Sequence, residues 1–189
     1  MHLAEAFTLM SQDDKNVFSE MSGSDYSAAR KIIIDVVLCT DLAVHLQLVG
    51  SLKTSIASQN NDELTADPII LMKVILKLAD IGHSTKEIHV HVKWTCRIIE
   101  EFFLQGDEEK KSNMPVSPFM DRFSEHSATN QVGFFDFIIL PFIDVAAQTI
   151  FSHAFDDIVQ QTRTNYQFWK TAEQKKSKLI DDITREFLK

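Results

Sequence analysis

What most limits the folds open to this chain is how little punctuates it: five glycines and four prolines in 189 residues, and no long run in which apolar and polar residues alternate. Hairpins need Gly, Asn or Asp where the backbone turns left-handed, and half-buried strands need a two-residue period, so there is little from which to build a sheet. The fold class predicted is all-α, a compact multi-helix domain. Ser24 is a candidate cap for a long helix starting near Asp25 and ending near Ser58, along which Ile32, Ile33, Val36, Val37, Thr40, Val44 and Leu48 recur at three- and four-residue steps. A polar loop, Gln59–Ala66, follows, and Asp67-Pro68 supplies a cap and a first-turn proline for a helix that runs to Ala79. The next helix is expected from Glu87 to Gln105, closed by Gly106. Pro115 and Pro118 make the segment from Gly106 to Phe123 irregular and lid-like, and a helix from Ser124 to Ile139 is expected to break at Pro141. Two further helices cover about Phe142–Ala154 and Asp156–Leu188. The last is amphipathic but polar in its middle, through Thr162 and Asn165.

With 44% hydrophobic residues, a chain of this length can bury roughly 70% of its unfolded surface without disulfides, and no repeat or linker composition divides it. One domain, 1–189, is expected. Cys39 and Cys96 lie in apolar helical patterns with no CxxC spacing, which fits free thiols in a reducing, cytoplasmic setting. Asp35, Asp136 and Pro141 interrupt the most apolar runs, so no membrane span is expected. A net charge of -8 argues against nucleic acid or an anionic membrane as partner. A small anionic ligand would need a metal or a local positive site.

Several residues carry chemistry that can be read locally. Asp80 closes an apolar helix, where a carboxylate must be hydrogen-bonded, paired, metal-bound or exposed. Pairing with Lys77 or exposure to water is the ordinary outcome, and one carboxylate is not a site. His89 and His91 are two apart, so on a helix their rings face different ways, unlike the four-residue spacing of zinc-binding helices. Together with His83 they read as surface or half-buried residues, and His45 and His126 as isolated structural ones. Gln131 and Phe134, three apart, share a helix face: a carboxamide offers a donor and an acceptor to a purine edge, and an aromatic ring offers a stacking surface. A core amide among phenylalanines is the competing reading.

The ordered segments R-K-x-x-I-D-x-V-L-x-T-D at Arg30–Asp41, L-A-D-I at Leu78–Ile81, K-W-T at Lys93–Thr95, E-E-F-F-x-Q-G-D at Glu100–Asp107, S-P-F-M-D-R at Ser117–Arg122 and Q-V-G-F-x-D-F at Gln131–Phe137 resemble the C-terminal part of the catalytic domain of class I 3',5'-cyclic-nucleotide phosphodiesterases. The resemblance covers about Met1–Val159, and His2-Leu3-Ala4 is similar to the end of that family's N-H-H-L-A segment. It implies an all-helical hydrolase that cleaves the cyclic phosphate of cAMP or cGMP with zinc and a second divalent metal, magnesium or manganese, bridged by hydroxide.

Carried onto this chain, the resemblance makes Asp80 the last aspartate ligand of zinc and Gln131 the glutamine that hydrogen-bonds the purine. Phe134 and Ile98 become the residues that clamp the ring from its two sides, and Leu42 falls where a pocket-wall Met or Leu is usual. His83 stands where cAMP-selective members carry asparagine and resembles some dual-specificity members. Thr40, Asp41, His45 and Glu101 match supporting positions.

The family's general-acid histidine, two metal-binding histidines and bridging aspartate lie in H-N-x-x-H and H-D motifs that have no counterpart here, so the metals are not expected to be retained by this chain alone. Two function classes follow. One is a phosphodiesterase portion that turns over cyclic nucleotide when the catalytic domain is complete. The other is a catalytically inactive phosphodiesterase-like subunit with a structural or interaction role in a larger assembly. Either way, a protein partner is expected to cover the face that the missing N-terminal helices would occupy.

Overall fold

The structure, a computed structural model, describes residues 1–58, 67–123, 127–150 and 153–175; every described element is helical or irregular, and none is a strand. The expected loop Gln59–Ala66, the start at Ser124, His126 and the end of the last helix at Leu188 lie outside the described residues. The chain forms two compact units, Met1–Asp80 and Ile81–Lys189.

The first unit holds α1 (His2–Met10), α2 (Gly23–Leu38), α3 (His45–Ser58) and α4 (Pro68–Asp80). Ser22, not Ser24, caps α2: its Oγ accepts the Asp25 N–H at 3.2 Å. The single long helix expected from Asp25 to Ser58 is two helices, bent by 81°. The chain turns at Cys39–Asp41, where Asp41 Oδ1 accepts the Ala43 N–H at 2.8 Å and starts a 3-10 turn, Leu42–Val44. What closes the corner is remote in sequence. Lys77, fully buried on α4, donates through Nζ to the carbonyls of Thr40 at 2.6 Å and Asp41 at 3.2 Å. A cation just past this helix end satisfies carbonyls of the turn that follows it and opposes the negative end of the α2 dipole. Burial lowers the Lys77 pKa, nearby Asp80 opposing the shift. Around this corner Val36, Leu48, Val49, Leu52 and Val74 form the apolar core.

The second unit opens with a 3-10 turn, Gly82–Thr85, and continues with α5 (Ile88–Lys111), α6 (Ser127–Phe134), α7 (Leu140–Thr149) and α8 (His153–Gln174). Pro141 does not break the α6–α7 run. A π-turn, Phe135–Ile139, joins the two helices: the Leu140 N–H reaches back five residues to the Phe135 carbonyl. Proline has no N–H and its ring crowds the carbonyl four residues earlier, so a widened turn just ahead of it lets the helix continue without that clash. The resulting rod, Ser127–Thr149, is long and apolar enough by length and composition to cross a membrane. Its side chains Phe135, Ile139, Phe142, Ile143, Val145 and Ala146 are nevertheless core residues of this unit, and α8 packs against both α6 and α7.

Gly106 does not end α5 either. The helix runs on to Lys111 and closes in a Schellman motif at Asn113, whose φ is 54°, with Asn113 N–H bonded to the Lys110 carbonyl and Met114 N–H to the Glu109 carbonyl. Gly106 is there because the returning loop touches the helix: a Cβ on it would lie 1.9 Å from the Met120 carbonyl oxygen. The loop is strapped down beside it. Glu109 accepts the Ser117 N–H and Oγ–H, both at 2.7 Å, Lys110 pairs with Asp121 at 2.7 Å, and Arg122 reaches Asp107 and Glu100 at 2.8 and 3.1 Å.

Gly106→Ala therefore sets a helix-propensity gain of about 1 kcal/mol against overlap with a backbone oxygen, and overpacking of this kind costs about 1–3 kcal/mol. The expected result is a lower denaturation midpoint with faster amide exchange across residues 112–123. A higher midpoint with unchanged exchange would contradict the close approach.

Candidate functional site

Of the residues singled out from the sequence, Ile98, His83, Gln131 and Phe134 belong to the second unit, Asp80 and Leu42 to the first. Asp80 ends α4 exposed to solvent, and Lys77, its expected partner, is spent on the Thr40–Asp41 carbonyls. Leu42, half exposed, opens the 3-10 turn after α2. Among the described residues no group of three or more His, Cys, Asp or Glu side chains could hold a metal ion. A single exposed carboxylate does not fit zinc, which takes at least three protein ligands.

The second unit holds a more elaborate arrangement, built on α5, the turn before it, the π-turn and α8. His91 is fully buried, not the surface or half-buried residue expected, while His89 on the other face is exposed. Trp169 on α8 donates its Nε1–H to His91 Nε2 at 2.7 Å, and His91 Nδ1 lies 3.2 Å from His83 Nδ1. The proton positions follow from the donors. An indole N–H can only donate, so His91 Nε2 must be bare and its proton sits on Nδ1. That proton is shared between His83 Nδ1 and the His83 backbone carbonyl, and the Nδ1 contact leaves His83 protonated on Nε2.

Both rings are therefore neutral, and burial pushes their pKa values the same way, to about 4 for His83 and about 3 for His91, where the neighbouring ring adds to the shift and a hydrogen bond to the His83 backbone opposes it. The His91 ring also meets Phe135 edge-on at 5.6 Å, joining α5 to the π-turn next to Phe134.

Gln131 and Phe134, three apart on α6, are both half-buried. Gln131 Oε1 is buried and has no hydrogen-bond partner among the described residues. Ile98 is half-buried on α5, seven residues and so nearly two full turns from His91, on the same side of the helix. Thr95, between them on that side, also buries a hydroxyl without a partner. Buried polar atoms are satisfied in most proteins, so the Thr95 hydroxyl on α5 and the Gln131 amide oxygen on α6 each carry unmet hydrogen-bonding capacity.

Trp169, Asn165 and the burial of His91 escaped the sequence reading. Their trace was the polar middle of the last helix: Thr162, Asn165 and Trp169, apolar-face positions by spacing, are all buried.

The profile of the 3'5'-cyclic nucleotide phosphodiesterase family matches residues 1–162, and the chain belongs to that family. It is 34% identical over 171 residues to the dual specificity calcium/calmodulin-dependent 3',5'-cyclic nucleotide phosphodiesterase 1B of Cricetulus griseus, covering 88% of this chain and 31% of that protein. It is also 34% identical to the 3',5'-cyclic-AMP phosphodiesterase, isoform F, of Drosophila melanogaster, covering 88% of this chain and 26% of the other. The solved structure of LmjPDEB1 in complex with IBMX superposes with a TM-score of 0.81 at 28% identity, over 93% of this chain and 52% of that one. The chain thus spans about a third of the first relative's length and about half of the solved chain. The all-α fold and the family expected from the motifs are both found.

The neutral histidines set a pH dependence. Above about pH 7 the imidazoles are uncharged whether the chain is folded or not; below about 6.5 the unfolded chain takes up protons that the folded chain does not. Stability is therefore present at neutral pH and lost as pH falls, over the window from 6.5 down to about 4 for His83 and about 3 for His91. With two protons involved, the slope approaches about 2.7 kcal/mol per pH unit. Denaturant titrations between pH 7.5 and 5.5 should give a slope that falls markedly in His91→Gln, whose carboxamide still accepts the Trp169 N–H without ionising. An unchanged slope would mean that His91 is not held neutral.

Proposed function

We propose that this chain supplies the base-binding wall of a cyclic-nucleotide phosphodiesterase site, with the whole span 1–189 belonging to one catalytic domain. The observation that carries the reading is Gln131 Oε1, a buried acceptor with no donor among the described residues. An adenine N6–H or a guanine N1–H would satisfy it, and the carboxamide's own N–H would meet an acceptor on the same base edge. Phe134 and Ile98 stack on the two faces of the ring, and His83 turns its Nε2–H toward the bound base. A histidine at position 83 resembles that of some dual-specificity members, which supports acceptance of both cAMP and cGMP.

In this reading hydrolysis belongs to the complete domain. Zinc and a second divalent ion, magnesium or manganese, would supply an activated hydroxide and neutralise charge on the phosphate, with Asp80 as one zinc ligand and the remaining ligands coming from the family's H-N-x-x-H and H-D segments. Those segments would cover apolar side chains that α4 leaves exposed, Met72 and Ile75. The same exposed residues favour the second reading, an inactive subunit that docks on a partner in a cytoplasmic assembly.

One experiment separates them. The chain, dialysed and then given zinc and magnesium, should retain no stoichiometric zinc and show no turnover of cAMP or cGMP. Adding the N-terminal helices of a family catalytic domain as a second polypeptide should restore both. Turnover by the chain alone, removed by Asp80→Ala, would contradict the proposal; a complement that binds without restoring turnover would favour the inactive subunit.

A further inference from the structure

We propose that Asn165, on α8 and outside the base wall, is a positioning residue that fixes His83 by clamping the turn that carries it. His83 sits in the 3-10 turn Gly82–Thr85, and the chain leaves that turn with two carbonyls, those of Ser84 and Lys86, aimed at α8. Asn165, fully buried, donates both hydrogens of its amide to them, Nδ2 lying 2.9 Å from the Ser84 oxygen and 2.8 Å from the Lys86 oxygen. Its Oδ1 accepts from Gln161 Nε2 at 3.0 Å. The orientation of the amide is thereby unique, because a flip would set Oδ1 against two carbonyl oxygens and Nδ2 against another amine donor. Two further bonds stiffen the turn from within: Ser84 Oγ–H to the Ile81 carbonyl at 2.8 Å and Thr85 Oγ1–H to the Gly82 carbonyl at 2.9 Å.

The same helix holds His83 by a second route. Gln161, Asn165 and Trp169 follow at four-residue steps and so share one face of α8, and Trp169 acts on His83 through the protonation of His91. Asn165 sets where the His83 backbone lies; Trp169 and His91 set which ring nitrogen carries its proton. A hydrogen-bond donor discriminates between base edges only if its place and its proton are both fixed. Neither Asn165 nor Trp169 has to touch a nucleotide to do this. The consequence for nucleotide choice rests on the proposed reading of His83 as a base-facing residue; the clamp itself does not.

The imidazole nitrogens report on the clamp directly. In the unaltered 189-residue chain, long-range nitrogen–proton NMR spectra should give His91 as the single tautomer protonated on Nδ1 and His83 as the single tautomer protonated on Nε2. Asn165→Leu keeps the branched shape and the Trp169 bond but removes both donors. It should leave the His91 pattern in place while the His83 pattern collapses to the averaged signals of a mobile ring. Gln161→Met, at a half-buried position, removes only the bond that orients the amide and should broaden the His83 signals in the same direction, which decides the matter if Asn165→Leu does not fold. Folded variants with His83 signals identical to those of the unaltered chain would overturn the proposal, as would loss of both histidine patterns together, which is the signature of a merely structural residue. The ratio of cAMP to cGMP affinity, measured on the same samples, should shift with the His83 pattern. If the unaltered chain binds neither nucleotide, the reading of the base wall fails, and the imidazole spectra still decide the clamp.

Discussion

The hydrogen bond from Trp169 Nε1 to His91 Nε2 is the contact on which the second unit depends. It ties α8 to α5, makes a buried histidine affordable by keeping it neutral, and orders the protons through to His83. An uncompensated charge at that depth would cost several kcal/mol, and a neutral imidazole with both nitrogens bonded costs far less. The edge-on contact with Phe135 extends the tie to the π-turn, so the helix bearing Gln131 and Phe134 is referenced to the same ring.

Lys77 does comparable work in the first unit. A lysine with its ammonium buried is unusual, and here it is tolerated because two carbonyls at a sharp corner accept it. Removing the charge would strand the Thr40 carbonyl, and a buried unsatisfied carbonyl costs about 1–3 kcal/mol; the Asp41 carbonyl keeps the Val44 N–H. Lys73, one turn earlier on α4, pairs with Asp35 on α2 at 2.8 Å, so α4 grips α2 through one buried cation and one at the surface. The loop after α5 is held differently, by carboxylates on its own helix. Hydrogen bonds from Gln105 and Ser117 hold the Glu109 carboxyl below the usual carboxylate range, and those from Arg122 do the same at Asp107.

Helix content and most helix positions were legible because they rest on local periodicity and on the scarcity of turn residues, and the family was legible because its motifs are contiguous. Most of the failures share a cause: they were decided by a residue far away in sequence. The corner at Cys39–Asp41 has no Gly or Pro; it exists because Lys77, 37 residues from Thr40, accepts the task of a cap. Gly106 looked like a helix end because glycine usually is one, yet its lack of a side chain serves the Met120 carbonyl. Pro141 looked like a break, and the π-turn before it absorbed the misfit. His91 could not be placed from an H-x-H spacing, since its burial depends on a tryptophan 78 residues later. Asp80, Ile98, Gln131 and Phe134 were nameable from family motifs, whereas Asn165, with no motif around it, showed only as a polar residue on a face that should have been apolar.

On this proposal the base-reading wall is a preformed part of the second unit, and the metal chemistry is a separate contribution from the family's H-N-x-x-H and H-D segments. The most direct test is equilibrium binding of cAMP to the chain in the presence of a metal chelator. Saturable binding is expected, left intact by the chelator and weakened in Gln131→Ala by about 1–3 kcal/mol, roughly 5- to 150-fold. Binding that is unchanged in Gln131→Ala, or that appears only when divalent metal is added, would contradict the proposal.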